Sequence, residues 1–232
     1  MSNPARIFEQ TVDNFPDADR FAAVVYLGKP NHFKRGSKHD YDTVVLLDRR
    51  YPMGAGVLAG FELNREYQRR LVAAGIRSIP FVYSVTMEDR AVLGKYNSTR
   101  TLLHHSMIFA DMETLMKDGI IRGWFAKNLA AEGTFVRGSV DDAYSPEFLR
   151  EDQFARAYFY LQDAMNCALI RGAPVGWLEW KLREKTEYAR KWSGLTLKKL
   201  AGKESEELLE IAGETLLELD EMPREAAVVR DF

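Results

Sequence analysis

Cysteine is almost missing from this chain: Cys167 is the single one among 232 residues. One thiol can neither close an intramolecular disulfide nor build a cysteine-based zinc site. It falls in a helical apolar pattern and reads as a buried structural thiol. Long apolar runs are also lacking. No stretch approaches the ~18 residues of a membrane-spanning helix, and residues 1–15 lack the continuous apolar centre of a signal peptide. These absences lead us to expect a cytoplasmic protein with no membrane partner. A charge bias is missing too, since 32 Lys and Arg face 34 Asp and Glu for a net charge of −2. Such a balance gives no global attraction to nucleic acid, so binding of that kind needs a local basic patch. Internal repeats and low-complexity tracts are absent.

What the chain has is core material, with 46% hydrophobic and 12% aromatic residues, enough for one large domain or two modest ones. Ser2-Asn3-Pro4 opens a predicted short helix with Ile7, Phe8 and Val12 on its apolar stripe. Phe21–Leu27 is a predicted buried strand, rich in residues that favour the extended state. A basic turn region follows, with Lys29, Lys34, Arg35 and Lys38 beside His32 and His39, and then a strand over Tyr41–Leu47. Arg49 to Gly60 carries Pro52, Gly54, Gly56 and Gly60 and reads as a flexible loop. Phe61 to Ala74 is a predicted helix that stops at Gly75.

Further along, Ile79–Val85 is a predicted third strand, its Pro80 favouring a strand start or a sheet edge. Leu102–Phe109 is a predicted fourth strand, with a helix from about Asp111. Phe125 to Val136 predicts a short helix, a glycine stop at Gly133 and a brief extended piece. From Ser145-Pro146-Glu147 onward the pattern is helical, with Pro146 suited to a first helical position. Leu149, Phe154, Tyr158, Leu161, Met165, Ala168 and Leu169 recur at helical spacing. A second helix opens near Pro174, and Leu195–Leu200 and Glu206–Leu219 supply further helical material. Gly138–Ser145, containing Asp141 and Asp142, is the expected boundary between residues 1–140 and 145–232. Trp177, Trp180 and Trp192 read as core or dimer contacts rather than base-stacking platforms.

Candidate chemistry concentrates at Asp40-Tyr41-Asp42, which heads the apolar run Thr43–Leu47. Residues i and i+2 of a strand share a face, so a strand opening at Asp40 presents both carboxylates together. Paired oxygen ligands on a rigid element suit a hard divalent cation such as Mg²⁺, which also shares a substrate's phosphates. Gly28, twelve residues before Asp40, ends the preceding strand. A glycine turn there lets backbone N–H groups approach phosphate.

Strand, glycine turn, basic connector and Asp-X-Asp strand together resemble the minimal nucleotidyltransferases of the polymerase-β-like superfamily. The matching stretch runs from Tyr26-Leu27-Gly28-Lys29-Pro30 to Ser37-Lys38-His39-Asp40-Tyr41-Asp42-Thr43-Val44-Val45. Phe125 to Val136 looks like the segment that closes many of these domains. The helices after it are similar in arrangement to the HEPN-type domains often fused to them. The resemblance implies an α+β chain, with a mixed-sheet nucleotidyltransferase-like N-terminal domain followed by an all-α helical bundle. It also implies that Asp40 and Asp42 bind Mg²⁺, and that Gly28, Lys29, Ser37 and Lys38 line the nucleotide site. The partners would be a nucleoside triphosphate and a hydroxyl acceptor on a small molecule, protein or RNA, with the helical half available for homodimerisation.

The chain departs from that family at two points. Lys29 stands where the family has Ser; its ammonium attracts phosphate but lacks a hydroxyl's hydrogen bonding. Gly36-Ser37 is the alternative source of the family's Gly-Ser element, but it lies only four residues before Asp40. The family also commonly carries a third carboxylate on the next strand, and none occurs in Phe81–Val85; Glu88 and Asp111 are the nearest. HEPN-type ribonucleases resemble one another in an Arg-(four to six residues)-His motif, yet all four histidines lie at or before His105. That excludes such ribonuclease chemistry from the helical half. His104-His105 are adjacent in a predicted strand and so face opposite ways, which argues against a joint metal site. The expected activity is Mg²⁺-dependent transfer of a nucleoside monophosphate. The alternative is an inactive member of the same fold that binds nucleotide or a partner.

Overall fold

A computed structural model describes residues 4–27, 40–76, 78–81, 102–107, 133–139, 142, 144, 152–170 and 173–224. At 26–27, 40–44, 78–81, 102–107 and 133–135 the description is of the backbone. The chain is α+β. Five strands, β1 (Phe21–Leu27), β2 (Asp40–Leu47), β3 (Ser78–Phe81), β4 (Leu102–Met107) and β5 (Gly133–Gly138), form one sheet in the order β3-β4-β2-β1-β5. β5, β1 and β2 form an antiparallel unit, and β4 and β3 extend it in parallel, so the sheet is mixed.

The described helices are α1 (Pro4–Asp13), α2 (Met53–Ala73), α3 (Ala155–Cys167), α4 (Val175–Ser193) and α5 (Ser205–Glu221), with a 3₁₀ turn at Ala18–Arg20. α1 begins at Pro4, whose missing N–H costs nothing in a first turn. It buries Phe8 edge-on against Tyr67 of α2, with ring centroids 5.1 Å apart. Val24 of β1 and Val45 and Leu47 of β2 enter one apolar core with α1 and α2. That core also takes in Tyr158 and Leu161 of α3 and Leu216 of α5, and so is shared by both sequence halves.

The largest departure from expectation is the loop predicted over Arg49–Gly60. Helix α2 starts at Met53 and carries Gly54, Gly56 and Gly60 inside it. Glycine weakens an isolated helix, but here it admits close packing that outweighs the propensity. A Cβ on Gly54 would lie 2.1 Å from the Leu216 carbonyl oxygen of α5, and one on Gly56 3.1 Å from a Leu47 methyl. α2 ends as predicted at Gly75, which has φ of +73°. There Gly75 N–H donates to Val72 O and Ile76 N–H to Leu71 O, satisfying the last carbonyls.

Residues 195–200, expected to be helical, form an irregular connection between α4 and α5. The connection is pinned by the buried Arg190, which donates to Thr196 O at 2.7 Å, Thr215 Oγ1 at 2.9 Å and Glu218 at 2.7 Å. β3 is described as far as Phe81 and the fourth strand as far as Met107; the predicted continuations to Val85 and Phe109 lie outside the described residues. The helices expected from Asp111, within Phe125–Val136 and at Ser145-Pro146 fall outside the described residues, apart from the extended piece, which is β5. Among the described residues no helix is long and apolar enough to cross a membrane.

Candidate functional site

β2 begins at Asp40, so the two aspartates take its first and third positions. The residues behind them, Val44, Val45 and Leu46-Leu47, are the β-branched and apolar types that favour a strand within a sheet. Antiparallel pairing sets Leu27, the last residue of β1, opposite Asp42. The same Leu27 pairs with Gly133, the first residue of β5. The end of β1 and the starts of β2 and β5 therefore share one rim of the sheet. The connection that carries Gly28, Lys29, Ser37 and Lys38 leaves and re-enters at that rim. Those four residues, with His32, His39, Glu88 and Asp111, lie outside the described residues.

On the other side of β2 the register is parallel, with Asp40 opposite Leu103 and Asp42 opposite His105 of β4. Here the structure corrects the expected neighbour. The strand next to the Asp pair is β4, while β3 lies one place further out, pairing Phe81 with His105. The strand adjacent to the Asp pair is therefore β4, not the one that includes Phe81. Parallel neighbours arise through long crossovers, and no local pattern in the sequence marks them. His105, weighed in the sequence only as half of an adjacent histidine pair, is the β4 residue in register with Asp42.

The opposite end of β2 is chemically different. About eight residues of strand, at roughly 3.3 Å each, separate the two ends. There Asp48 is buried, and its carboxylate accepts a bidentate pair from the Arg50 guanidinium and a further bond from the Arg50 amide at 2.9 Å. This hydrogen bonding holds the Asp48 carboxyl below the usual carboxylate range, against the cost of burial. Asp48 is thus committed to an internal partner. Next to it the segment that follows β5 is tied down: Tyr144 Oη donates to Tyr51 O at 2.7 Å, and the Asp142 carbonyl accepts from Arg49 N–H.

The first turn of α2 is capped from a distance. Pro52 precedes the helix and offers no side-chain cap. Asp220 of α5 accepts from Gly54 N–H at 2.7 Å and Ala55 N–H at 2.9 Å, and from Tyr158 Oη at 2.8 Å. A carboxylate on exposed first-turn amides satisfies orphan donors and complements the helix dipole. Arg224 extends the cluster, donating to both Asp152 oxygens at 2.8 Å and to Tyr158 Oη at 3.0 Å. Burial and the Asp220 charge push the Tyr158 phenol well above its ordinary value, so it stays a neutral donor. This network fastens the helices together at the end of β2 away from the Asp pair.

The remaining sequence candidates resolve simply. Cys167 is buried on α3, as expected. Trp180 and Trp192 are 39% and 42% exposed and so lie outside the core, while Trp177 packs partly buried against Cys167 and Ile170. The Trp192 ring stacks on Tyr188 at 5.8 Å, and the Arg156 guanidinium lies over it at 5.7 Å. Asp163 and Lys181 form a buried pair between α3 and α4 at 3.5 Å. Among the described residues no group of three His, Cys, Asp or Glu side chains is arranged to hold a metal ion; Asp40, Asp42 and His105 are placed by backbone register.

An α+β fold with a mixed sheet, and an acidic pair opening its central strand, is the class that the described residues define. Comparison with known protein families, curated proteins and solved structures gives no match.

Proposed function

We propose that this chain is a nucleotidyltransferase-like protein that uses Asp40 and Asp42 to bind a divalent cation together with a nucleoside triphosphate. The observation that carries this reading is the antiparallel register of Leu27 with Asp42. It sets the end of β1, the residue that precedes Gly28 in the sequence, at the rim where the acidic pair stands. A backbone turn that can approach phosphate and two oxygen-donor residues then serve one ligand. The donor set fits a hard cation, Mg²⁺ by the family pattern.

In this reading Asp40 and Asp42 anchor the cation, and Gly28, Lys29, Ser37 and Lys38 hold the triphosphate. A bound cation supplies charge neutralisation at the phosphates. The acceptor's hydroxyl oxygen forms a bond to the α-phosphorus and the α–β anhydride bond breaks. Pyrophosphate leaves, and the hydroxyl proton passes to a general base or to solvent. The acceptor is a small molecule, a protein or an RNA.

One observation favours the alternative, an inactive member that binds nucleotide or a partner. The described β4, Leu-Leu-His-His-Ser-Met, brings no carboxylate into register with the pair. A transfer assay separates the two. Label from α-phosphate-labelled nucleoside triphosphates should enter an acceptor in the presence of Mg²⁺ or Mn²⁺, with pyrophosphate released. The Asp40→Asn protein should lose this while its far-UV circular dichroism is unchanged. Nucleotide binding without pyrophosphate release would select the alternative.

A further inference from the structure

We propose that Arg224 and Asp152 form a proton-released latch, which straps the chain leaving α5 across the start of α3 and lets it go in mild acid while the helices stay folded.

The latch has one buried half and one exposed half. After α5 ends at Glu221, Pro223 O accepts a bond from Gln153 Nε2 at 3.3 Å, and Arg224 reaches Asp152. The guanidinium donates to both carboxylate oxygens at 2.8 Å and to Tyr158 Oη at 3.0 Å. It also lies over the Phe154 and Tyr158 rings at 5.0 and 5.7 Å. The Asp152 side chain is 2% exposed and the Arg224 side chain 39%. Arg224 therefore moves into water at little cost, whereas Asp152 stays behind. A buried carboxylate that loses its partner either bears the desolvation penalty or takes up a proton. A neutral carboxyl, in turn, no longer holds a guanidinium through charge-assisted bonds. Detachment and protonation are thus coupled.

The direction follows from what differs between the two states. Burial raises the Asp152 carboxyl; Arg224 and the Phe154 and Ala155 amides oppose the rise. The two amides belong to the start of α3 and stay in place with the latch open or closed, so only Arg224 changes. From α5, Asp220 raises the carboxyl in both states. Tyr158 of α3 and Tyr144, after β5, are phenols raised above their ordinary value and stay neutral in acid. Asp152 therefore binds its proton more tightly with the latch open than closed. The closing energy is complete above the open-state value and is lost as pH falls through it towards the closed-state value. Both lie above the ordinary carboxyl value, so release precedes the titration of exposed carboxylates. Tyr158 keeps its bond to Asp220, and Asp220 keeps the Gly54 and Ala55 amides, so the cap of α2 survives release.

The test uses the full chain. In a pH titration by NMR, the Asp152 carboxyl carbon and the Arg224 guanidinium nitrogens should move with one midpoint, above the ordinary carboxylate value. The guanidinium should reach the position of free arginine while far-UV circular dichroism is unchanged. Asp152→Asn imitates the protonated carboxyl at neutral pH. Trypsin should then cut after Arg224, releasing residues 225–232, at least ~10-fold faster than in wild type, as loss of charge-assisted bonds implies when cleavage follows the open population. Guanidinium signals that stay shifted once Asp152 is protonated, helix loss at the same midpoint, or cleavage no faster in Asp152→Asn would overturn the proposal. The wild-type titration decides the matter if the variant fails to fold.

Discussion

Asp220 and Gly54 lie 166 residues apart in the chain, yet the Asp220 carboxylate accepts the Gly54 N–H at 2.7 Å. The contact explains how a helix that starts after Pro52, with two glycines in its first turn, is held. Asp220→Ala should cost about 1–2 kcal/mol, the usual value of a lost N-terminal cap. Asp220→Asn should cost less, because an acceptor remains while the charge is lost. Urea denaturation followed by circular dichroism measures both.

Close packing, rather than chain flexibility, accounts for glycine at position 54. Gly54→Ala places a methyl 2.1 Å from the Leu216 carbonyl oxygen, which is backbone and has little freedom to yield. A loss of about 3 kcal/mol or more in stability follows. Gly176, in the first turn of α4, has open space where a Cβ would stand, with no neighbouring atom within 4 Å. Gly176→Ala should instead gain about 0.5–1 kcal/mol through helix propensity and a less flexible unfolded chain. Paired thermal melts of the two variants distinguish packing from propensity.

The fate of these glycines shows what the sequence made legible. Elements with strong local signals came through: β1 and β2 from their apolar and β-branched runs, α2's end from Gly75, α4's start from Pro174, and α5 from its apolar period. Local reasoning failed where a distant partner decides the outcome. Pro52, Gly54 and Gly56 read as loop residues until Leu47, Leu216 and Asp220 are set against the helix they open. Likewise the chain order of strands gives no sign that β4 separates β3 from β2. The acidic pair itself was visible, because Asp-X-Asp heading an apolar run is a local pattern. The register that sets His105 opposite Asp42 was not, because a parallel crossover creates it.

Glu218 reports on the α4–α5 staple. Its carboxyl is held below the ordinary value, chiefly by the hydrogen bond from Arg190, with Lys198 adding a second. A depressed carboxyl contributes stability that is complete above the unfolded value, about pH 4.3, and is lost as pH falls through the lower folded value. Wild type should therefore lose stability with acidification more steeply than Glu218→Gln. Urea midpoints measured from neutral pH down to about pH 3, within the range where carboxylates titrate, check this.

Asp152 behaves in the opposite sense. Burial raises its carboxyl, and Arg224 opposes that rise. Removing the guanidinium by Arg224→Ala leaves a buried carboxylate without this partner and should cost about 1–3 kcal/mol at neutral pH. A raised carboxyl binds its proton more readily in the folded than in the unfolded state, so the deficit should shrink as pH falls. Asp152→Asn in the Arg224→Ala background should recover part of the loss at neutral pH. A double-mutant cycle read by chemical denaturation tests the coupling.

The most direct test of the acidic pair is equilibrium binding of a non-hydrolysable nucleoside triphosphate to the full chain, with and without Mg²⁺ or Mn²⁺, in wild type and in Asp40→Asn/Asp42→Asn. Our account predicts binding that requires the cation and disappears in the double variant, with the denaturation midpoint preserved. Binding that ignores the cation, or survives loss of both carboxylates, would contradict it.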